Sequence, residues 1–279
     1  MIPARSKRLA LAMLLTAFVT PSVVGGAASD ASAQISPLRL QRPVMAGTKI
    51  RSASGANCTA GAVMKYSGIG TAISGFAAAK RYVLTSEHCG KKGEKFTLGS
   101  TVTGTVTWVS PDTDLELITV LPTSRTSRYC GPSHSGTLFC QNVTTYTPQA
   151  DGRVVLSALN TGSPITPIVN RTGSPGDEES FCRSGAVGGV DCTLMLTHIP
   201  SPVLAGLPGV ASASPTSRRA SEDGDSGAPV TSGSGGFTNV ALYGILYGGG
   251  WYGGVWKNHY ITIAKFFEET SGYSLAPAL

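Results

Sequence analysis

Val102-Thr103-Gly104-Thr105-Val106-Thr107-Trp108-Val109 alternates apolar and polar residues, the pattern of a half-buried β-strand. It is one of a long series. Strand-like runs fall at 61–66, 69–76, 82–85, 95–98 and 115–120, each bounded by turn residues. A second series covers 138–146, 153–158, 165–170, 193–199, 228–231, 240–247 and 254–255. Helical period occurs only near the end. Over 261–270, Ile261, Ala264 and Phe267 lie on one face and Lys265, Glu268 and Glu269 on another, with Gly272 placed as a C′ glycine. Strands do not alternate with helices, so a parallel α/β fold is excluded. The expected fold is all-β, in antiparallel barrels or a sandwich, with a C-terminal helix. Residues 122–136 read as a loop-rich crossing between two strand clusters. Residues 201–222 read as a second long loop, rich in Pro, Ser, Ala and Gly.

The first residues carry different information. Arg5, Lys7 and Arg8 form a basic start, 9–24 an apolar run, and Ala31-Ser32-Ala33 a small-residue cleavage site. This is the pattern of a secretory signal peptide over 1–33. Export of a soluble, extracellular product follows, with no membrane attachment after cleavage. Residues 34–43 then form a short pro-segment or an N-terminal arm. The remaining chain holds 19 basic and 15 acidic residues, a net charge of +4. No Lys/Arg block is dense enough for a nucleic-acid partner. Six cysteines, at 58, 89, 130, 140, 182 and 192, suit disulfides in an exported chain and allow 15 pairings. The pairs 130/140 and 182/192 are each ten residues apart, as a local staple requires. There is no Cys-x-x-Cys and no His pair at ligand spacing, so no metal and no cofactor is expected.

One stretch points to chemistry. In Gly224-Asp225-Ser226-Gly227-Ala228-Pro229-Val230, a serine stands between glycines on a tight turn. A serine hydroxyl needs a base to take its proton. Of His88, His134, His198 and His259, His88 ends a strand and adjoins Cys89, which would fix its backbone. An imidazole base needs an orienting carboxylate. Asp114 directly precedes an alternating strand that pulls it inward. Asp112 reads as a turn residue after Pro111, and Glu116 should face solvent at that strand's period.

His88 with Thr85 and Cys89, then Asp114 with Leu115 and Leu117, then Gly224-Asp225-Ser226-Gly227 follow the order His, Asp, Ser. That order resembles the chymotrypsin-fold serine proteases. The nearest resemblance is to their secreted bacterial branch, the streptogrisins and α-lytic protease. Four further stretches carry it: 44–61 around Cys58, Thr85 to Cys89, Phe181-Cys182-Arg183-Ser184-Gly185-Ala186 with Cys192, and Tyr243-Gly244-Ile245-Leu246-Tyr247-Gly248-Gly249. The resemblance covers about 44–275.

It implies two antiparallel six-stranded β-barrels over 44–279. The N-terminal barrel would span about 58–121, the C-terminal one about 137–260, and the terminal helix about 261–271. It implies a serine endopeptidase, monomeric, acting on polypeptides and open to protein inhibitors. Ser226 would be the nucleophile, His88 the base and Asp114 the orienter. The N–H groups of Gly224 and Ser226 would form the oxyanion hole. It further implies disulfides Cys58–Cys89 and Cys182–Cys192 and an Arg183–Asp225 ion pair. The substrate cleft would be lined by Ala220, Tyr247, Gly248 and Gly249. Cys130–Cys140 has no counterpart in the family.

The chain departs from the pattern at several points. Glu87 replaces a small residue before the histidine. Tyr247 replaces a serine that bonds the aspartate, and Ala228 replaces a glycine. Ser221 stands near one position of a missing cysteine pair. These changes motivate a second reading, a catalytically weak homologue that acts as a secreted binding protein. Ala220 puts no acid at the pocket base, and Gly248 to Gly250 leave room for a large apolar side chain.

Overall fold

A computed structural model describes residues 36–132, 138–158, 161–204, 206–233 and 238–279. The signal-peptide stretch and His134 lie outside them. The described chain is all-β, with two large sheets and two two-stranded ones. In the first, six strands close on themselves: Phe181–Gly185, Gly189–Thr197, Val210–Pro215, Val255–Thr262, Asn239–Tyr252 and Pro229–Ser232, which returns to Phe181–Gly185. Strands Ile168–Thr172, Ala150–Val154 and Val44–Ala46 extend that sheet beyond the closed ring.

The second sheet corrects the expectation of two six-stranded barrels. It has eight strands and is open, in the order Tyr273–Leu275, Ala62–Tyr66, Arg81–Thr85, Glu116–Val120, Val102–Val109, Lys95–Leu98, Lys49–Ser52, Asn57–Thr59. One extra strand is the chain's own C-terminus, paired through Ser274 with Lys65. Strand patterning fixes which face is apolar. It does not fix which remote strand pairs at an edge.

Val102–Val109 buries Val102, Gly104 and Val106 and exposes Thr103 and Thr107. The helix content is larger than one terminal helix. Residues 69–76, expected as strand, fall in the helices Ile69–Ile73 and Gly75–Ala79. Ser74 caps the second, accepting a hydrogen bond from Ala77 N at 3.3 Å, and three alanines favour helix over strand. A short helix at Ser201–Leu204 and the strand Val210–Pro215 occupy part of the expected long loop. The terminal helix is Ile263–Glu269. It starts two residues late because Ile261 pairs with both Val210 and Ile245.

The expected crossing loop is instead a ten-on-ten hairpin, Thr123–Pro132 against Leu138–Thr147, with Cys130 directly opposite Cys140 and bonded to it. Nearly every residue of both strands is exposed. The second strand matches the run expected at 138–146; the first, with neither face buried, carries no apolar alternation.

The two sheets share one of the core clusters. Met64, Leu84 and Leu117 of the open sheet, with Leu115 just before its strand, pack with Leu242, Ile245 and Ile261 of the other sheet and with Phe266 of the terminal helix. A buried leucine of this kind stabilises by about 1.5–3 kcal/mol. The shared core also fixes how the strand ends of the two sheets meet. Residues 36–43 pack onto the same body. Arg39 is buried, donating to Gly47 O at 2.7 Å and Ser184 Oγ at 3.1 Å.

Candidate active site

His88 sits in a short turn, Glu87–Cys89, directly after strand Arg81–Thr85. The Cys58–Cys89 disulfide ties that turn to strand Asn57–Thr59. Asp114 lies just before strand Glu116–Val120, which pairs with Arg81–Thr85. The pairing brings the two residues together. His88 Nδ1 donates to Asp114 Oδ2 at 2.7 Å, and His88 backbone N–H donates to Asp114 Oδ1 at 2.9 Å. Asp114 is buried while the His88 side chain is about half exposed. The carboxylate therefore holds the ring from inside, and Nε2 is left to face outward.

The hydrogen bond to Asp114 raises the imidazole above its ordinary 6.5. Burial opposes this rise, and the charges of Asp114 and Glu87 add to it. The acid limb of kcat/KM should thus lie above pH 6.5 if His88 must be neutral to act. Glu87→Gln removes one of the raising charges, so a pH–rate profile of that variant should show the limb moved to lower pH. An unmoved limb would mean that solvent screens Glu87.

Ser226 is half-buried on a loop flanked by Gly224 at φ +101° and Gly227 at φ +84°. Both values lie where glycine is favoured. Gly227 has a second constraint. A Cβ there would meet Thr85 Oγ1 at 2.0 Å and Thr59 O at 2.3 Å. The loop is pressed against the start of the histidine turn. Leu246 O joins the two segments, accepting from Gly227 N at 2.7 Å and from Ser86 Oγ at 3.0 Å. Thr59 binds the loop from the other sheet. Its N–H donates to Ser226 O at 2.8 Å and its hydroxyl donates to Gly224 O at 2.8 Å. Among the described residues, no protein acceptor takes the N–H of Gly224 or of Ser226, and no hydrogen bond joins Ser226 Oγ to His88.

Asp225, between them, is fully buried. Its carboxylate accepts from Arg183 Nη1 at 2.8 Å, Val187 N at 3.0 Å, Gly188 N at 2.9 Å and Glu222 N at 3.1 Å. Arg183 is fully buried too, and its Nη2 donates to Ala220 O at 2.6 Å. One ion pair thus clamps the residues before the serine to strand Phe181–Gly185, whose Cys182 is bonded to Cys192.

Several contributors escaped sequence reading. Thr59 and Ser86 are ordinary hydroxyl residues with no local signal. Glu269, at the end of the terminal helix, accepts from Ser110 Oγ and from Thr113 Oγ1. Ser110 Oγ in turn accepts from the N–H groups of Asp112 and Thr113, so the helix braces the turn that presents Asp114. Tyr247 makes no hydrogen bond to Asp114, whose donors among the described residues both come from His88.

Glu116 is the clear correction. Expected in solvent, it is fully buried, with Oε1 near Gly90 and both oxygens unpartnered. The histidine turn and Phe96 cover the face that strand period assigns to solvent. Burial first, then the charges of Glu87, Glu94 and Asp114, push its carboxyl up to about 8. Between its ordinary 4.5 and about 8, the folded chain holds a proton that the unfolded chain has lost. Stability therefore falls as pH rises through that window. Glu116→Gln should flatten the fall, adding on the order of 3–4 kcal/mol at pH 8 relative to pH 5, read by thermal unfolding at both. An equal change at both pH values would contradict the assignment.

No family model matches the chain, and no curated protein sequence matches it. Among solved structures, the fold is similar to that of Nocardiopsis protease (NAPase). The TM-score is 0.52 at 18% identity, covering 83% of this chain and 98% of that chain. At that identity the likeness establishes the shared fold.

Proposed function

We propose that the chain is a secreted serine endopeptidase. The observation that carries this reading is the His88–Asp114 hydrogen bond at 2.7 Å, set beside a serine loop that shares the Leu246 carbonyl with the histidine turn. Ser226 Oγ attacks a peptide carbonyl while His88 Nε2 takes its proton. The carbonyl oxygen becomes an oxyanion and is held by the N–H groups of Gly224 and Ser226, a contribution worth about 10²–10³ in rate per donor. His88 returns the proton to the leaving amine as the C–N bond breaks, leaving an acyl group on Ser226. Water, deprotonated by His88, attacks the acyl carbonyl, and Ser226 Oγ leaves with the proton. Asp114 holds the Nδ1–H tautomer and stabilises the imidazolium at each stage.

The fold shared with a protease is consistent with this chemistry. Separation of Ser226 Oγ and His88 in the free chain is compatible with a bond that tightens only when substrate binds. The same separation, with Tyr247 making no bond to Asp114, is what favours the second reading, a weak homologue that binds rather than cleaves. Casein hydrolysis separates the two. The wild-type chain should digest casein and Ser226→Ala should not. An intact, folded wild-type chain with no hydrolysis would favour the binding protein.

A further inference from the structure

Beyond Leu246, strand Asn239–Tyr252 continues past the serine loop. There Gly248 lies opposite His259 and Gly250 opposite Lys257, while Ser212 flanks His259 from the other side. Residues two apart on a strand share a face. Ser212, His259 and Lys257 therefore line one surface, with two glycines in front of them. A Cβ at Gly248 would meet nothing within 4 Å, so the space beside it is open.

The groups on that surface are buried and polar. Lys257 is 5% exposed. Its ammonium donates to His198 O at 3.0 Å and otherwise meets only the His198 ring nitrogens, at 3.3 and 3.4 Å. Among the described residues it forms no ion pair with any carboxylate. Glu222 and Asp223, the acids just before the serine, are exposed instead. His259 is 3% exposed, with Nδ1 2.7 Å from Ser212 Oγ and Nε2 3.3 Å from Tyr252 OH. The Tyr247 ring lies 6.0 Å from it. Burial first, then the charge of Lys257, lowers the His259 imidazole. Buried cations are normally paired, because desolvation without a counter-ion is costly. This cation has a carbonyl and an imidazole for company, and the strand that carries it pairs at Gly250 with the strand that holds the open position at Gly248.

We infer that the space beside Gly248 is a specificity pocket for an acidic side chain, glutamate or aspartate, on the residue that supplies the scissile carbonyl. The substrate carboxylate supplies the anion that Lys257 lacks, and His259, Ser212 and Tyr252 offer further hydrogen-bonding groups. The glycines alone suggest a large apolar side chain. The charge behind them selects a different one. The inference rests on the reading of Ser226 as the nucleophile.

A peptide library that varies the residue before the cleaved bond tests it. Wild-type protein should cut after Glu or Asp at least about tenfold faster than after Leu or Phe, the worth of one hydrogen bond to a charged group. Lys257→Met should lower the Glu-to-Leu ratio of kcat/KM by about 10–100-fold. The ratio compares two substrates on the same preparation, so loss of folded protein does not change it. If Lys257→Met does not fold, the wild-type profile still decides. A wild-type preference for neutral or basic residues overturns the inference, as does an unchanged ratio in Lys257→Met. Reaction of wild-type Ser226 with a fluorophosphonate separates the two possible failures. Labelling without cleavage after acidic residues overturns the pocket alone. Absence of both labelling and cleavage overturns the protease reading and the pocket with it.

Discussion

Asp114→Asn is expected to lower kcat by about 10⁴-fold while the chain stays folded. The reason lies in the two hydrogen bonds that Asp114 accepts, one from His88 N–H and one from His88 Nδ1. An asparagine can still accept from the backbone with its oxygen. Its amide group would then face Nδ1 as a donor. His88 would shift its proton to Nε2, and the ring could no longer take a proton from Ser226. Steady-state kinetics, with circular dichroism as the folding control, read the effect. KM should change far less than kcat, since Asp114 is buried and not placed to touch substrate. A loss under about tenfold would mean that the tautomer is not what Asp114 controls.

Arg183→Ala has the largest expected effect on stability. Arg183 and Asp225 are both fully buried and bonded at 2.8 Å. Removing the arginine leaves a buried carboxylate with backbone donors only, at a cost of about 3–5 kcal/mol. For a chain of this size that is a fall in melting temperature of roughly 10 °C. The same change frees the Ala220 carbonyl and loosens the Glu222–Asp225 turn. The loop carrying Ser226 should therefore lose activity as well. A double-mutant cycle with Asp225→Ala tests whether the cost is truly one of an unpaired charge. The double variant should be more stable than the sum of the two single losses implies. Strict additivity would mean that the pair carries no coupling.

Much of this site could be read from the chain, and the reasons differ residue by residue. Val102–Val109 was legible because one of its faces is buried and the other is not. The need of an imidazole base for a carboxylate and the family resemblance point to Asp114 as the partner of His88; the pairing of Arg81–Thr85 with Glu116–Val120 is what brings the two together. Of the hairpin from 123 to 147, the run 138–146 was legible as strand, but Thr123–Pro132 was not, because both of its faces meet water. Glu116 misled because strand period reports only the strand's own faces. The turn that covers it comes from residues 87–96, and nothing in the local sequence signals that cover. Glu269 bonds Ser110 and Thr113 across 159 and 156 residues, a distance at which spacing carries no information. Lys257 shows the same limit, since a lysine in a sequence reads as solvent-facing. Its burial becomes visible only when strand Val255–Thr262 is paired on both sides.

Mass-spectrometric mapping of a fluorophosphonate adduct on the purified protein reads the reactivity of Ser226. The reagent phosphonylates a serine whose proton a neighbouring base removes. A single adduct on Ser226 is expected, formed above the His88 acid limb, suppressed below it, and absent from His88→Ala. An adduct on another residue, or none on a folded chain with all three disulfides formed, would contradict it.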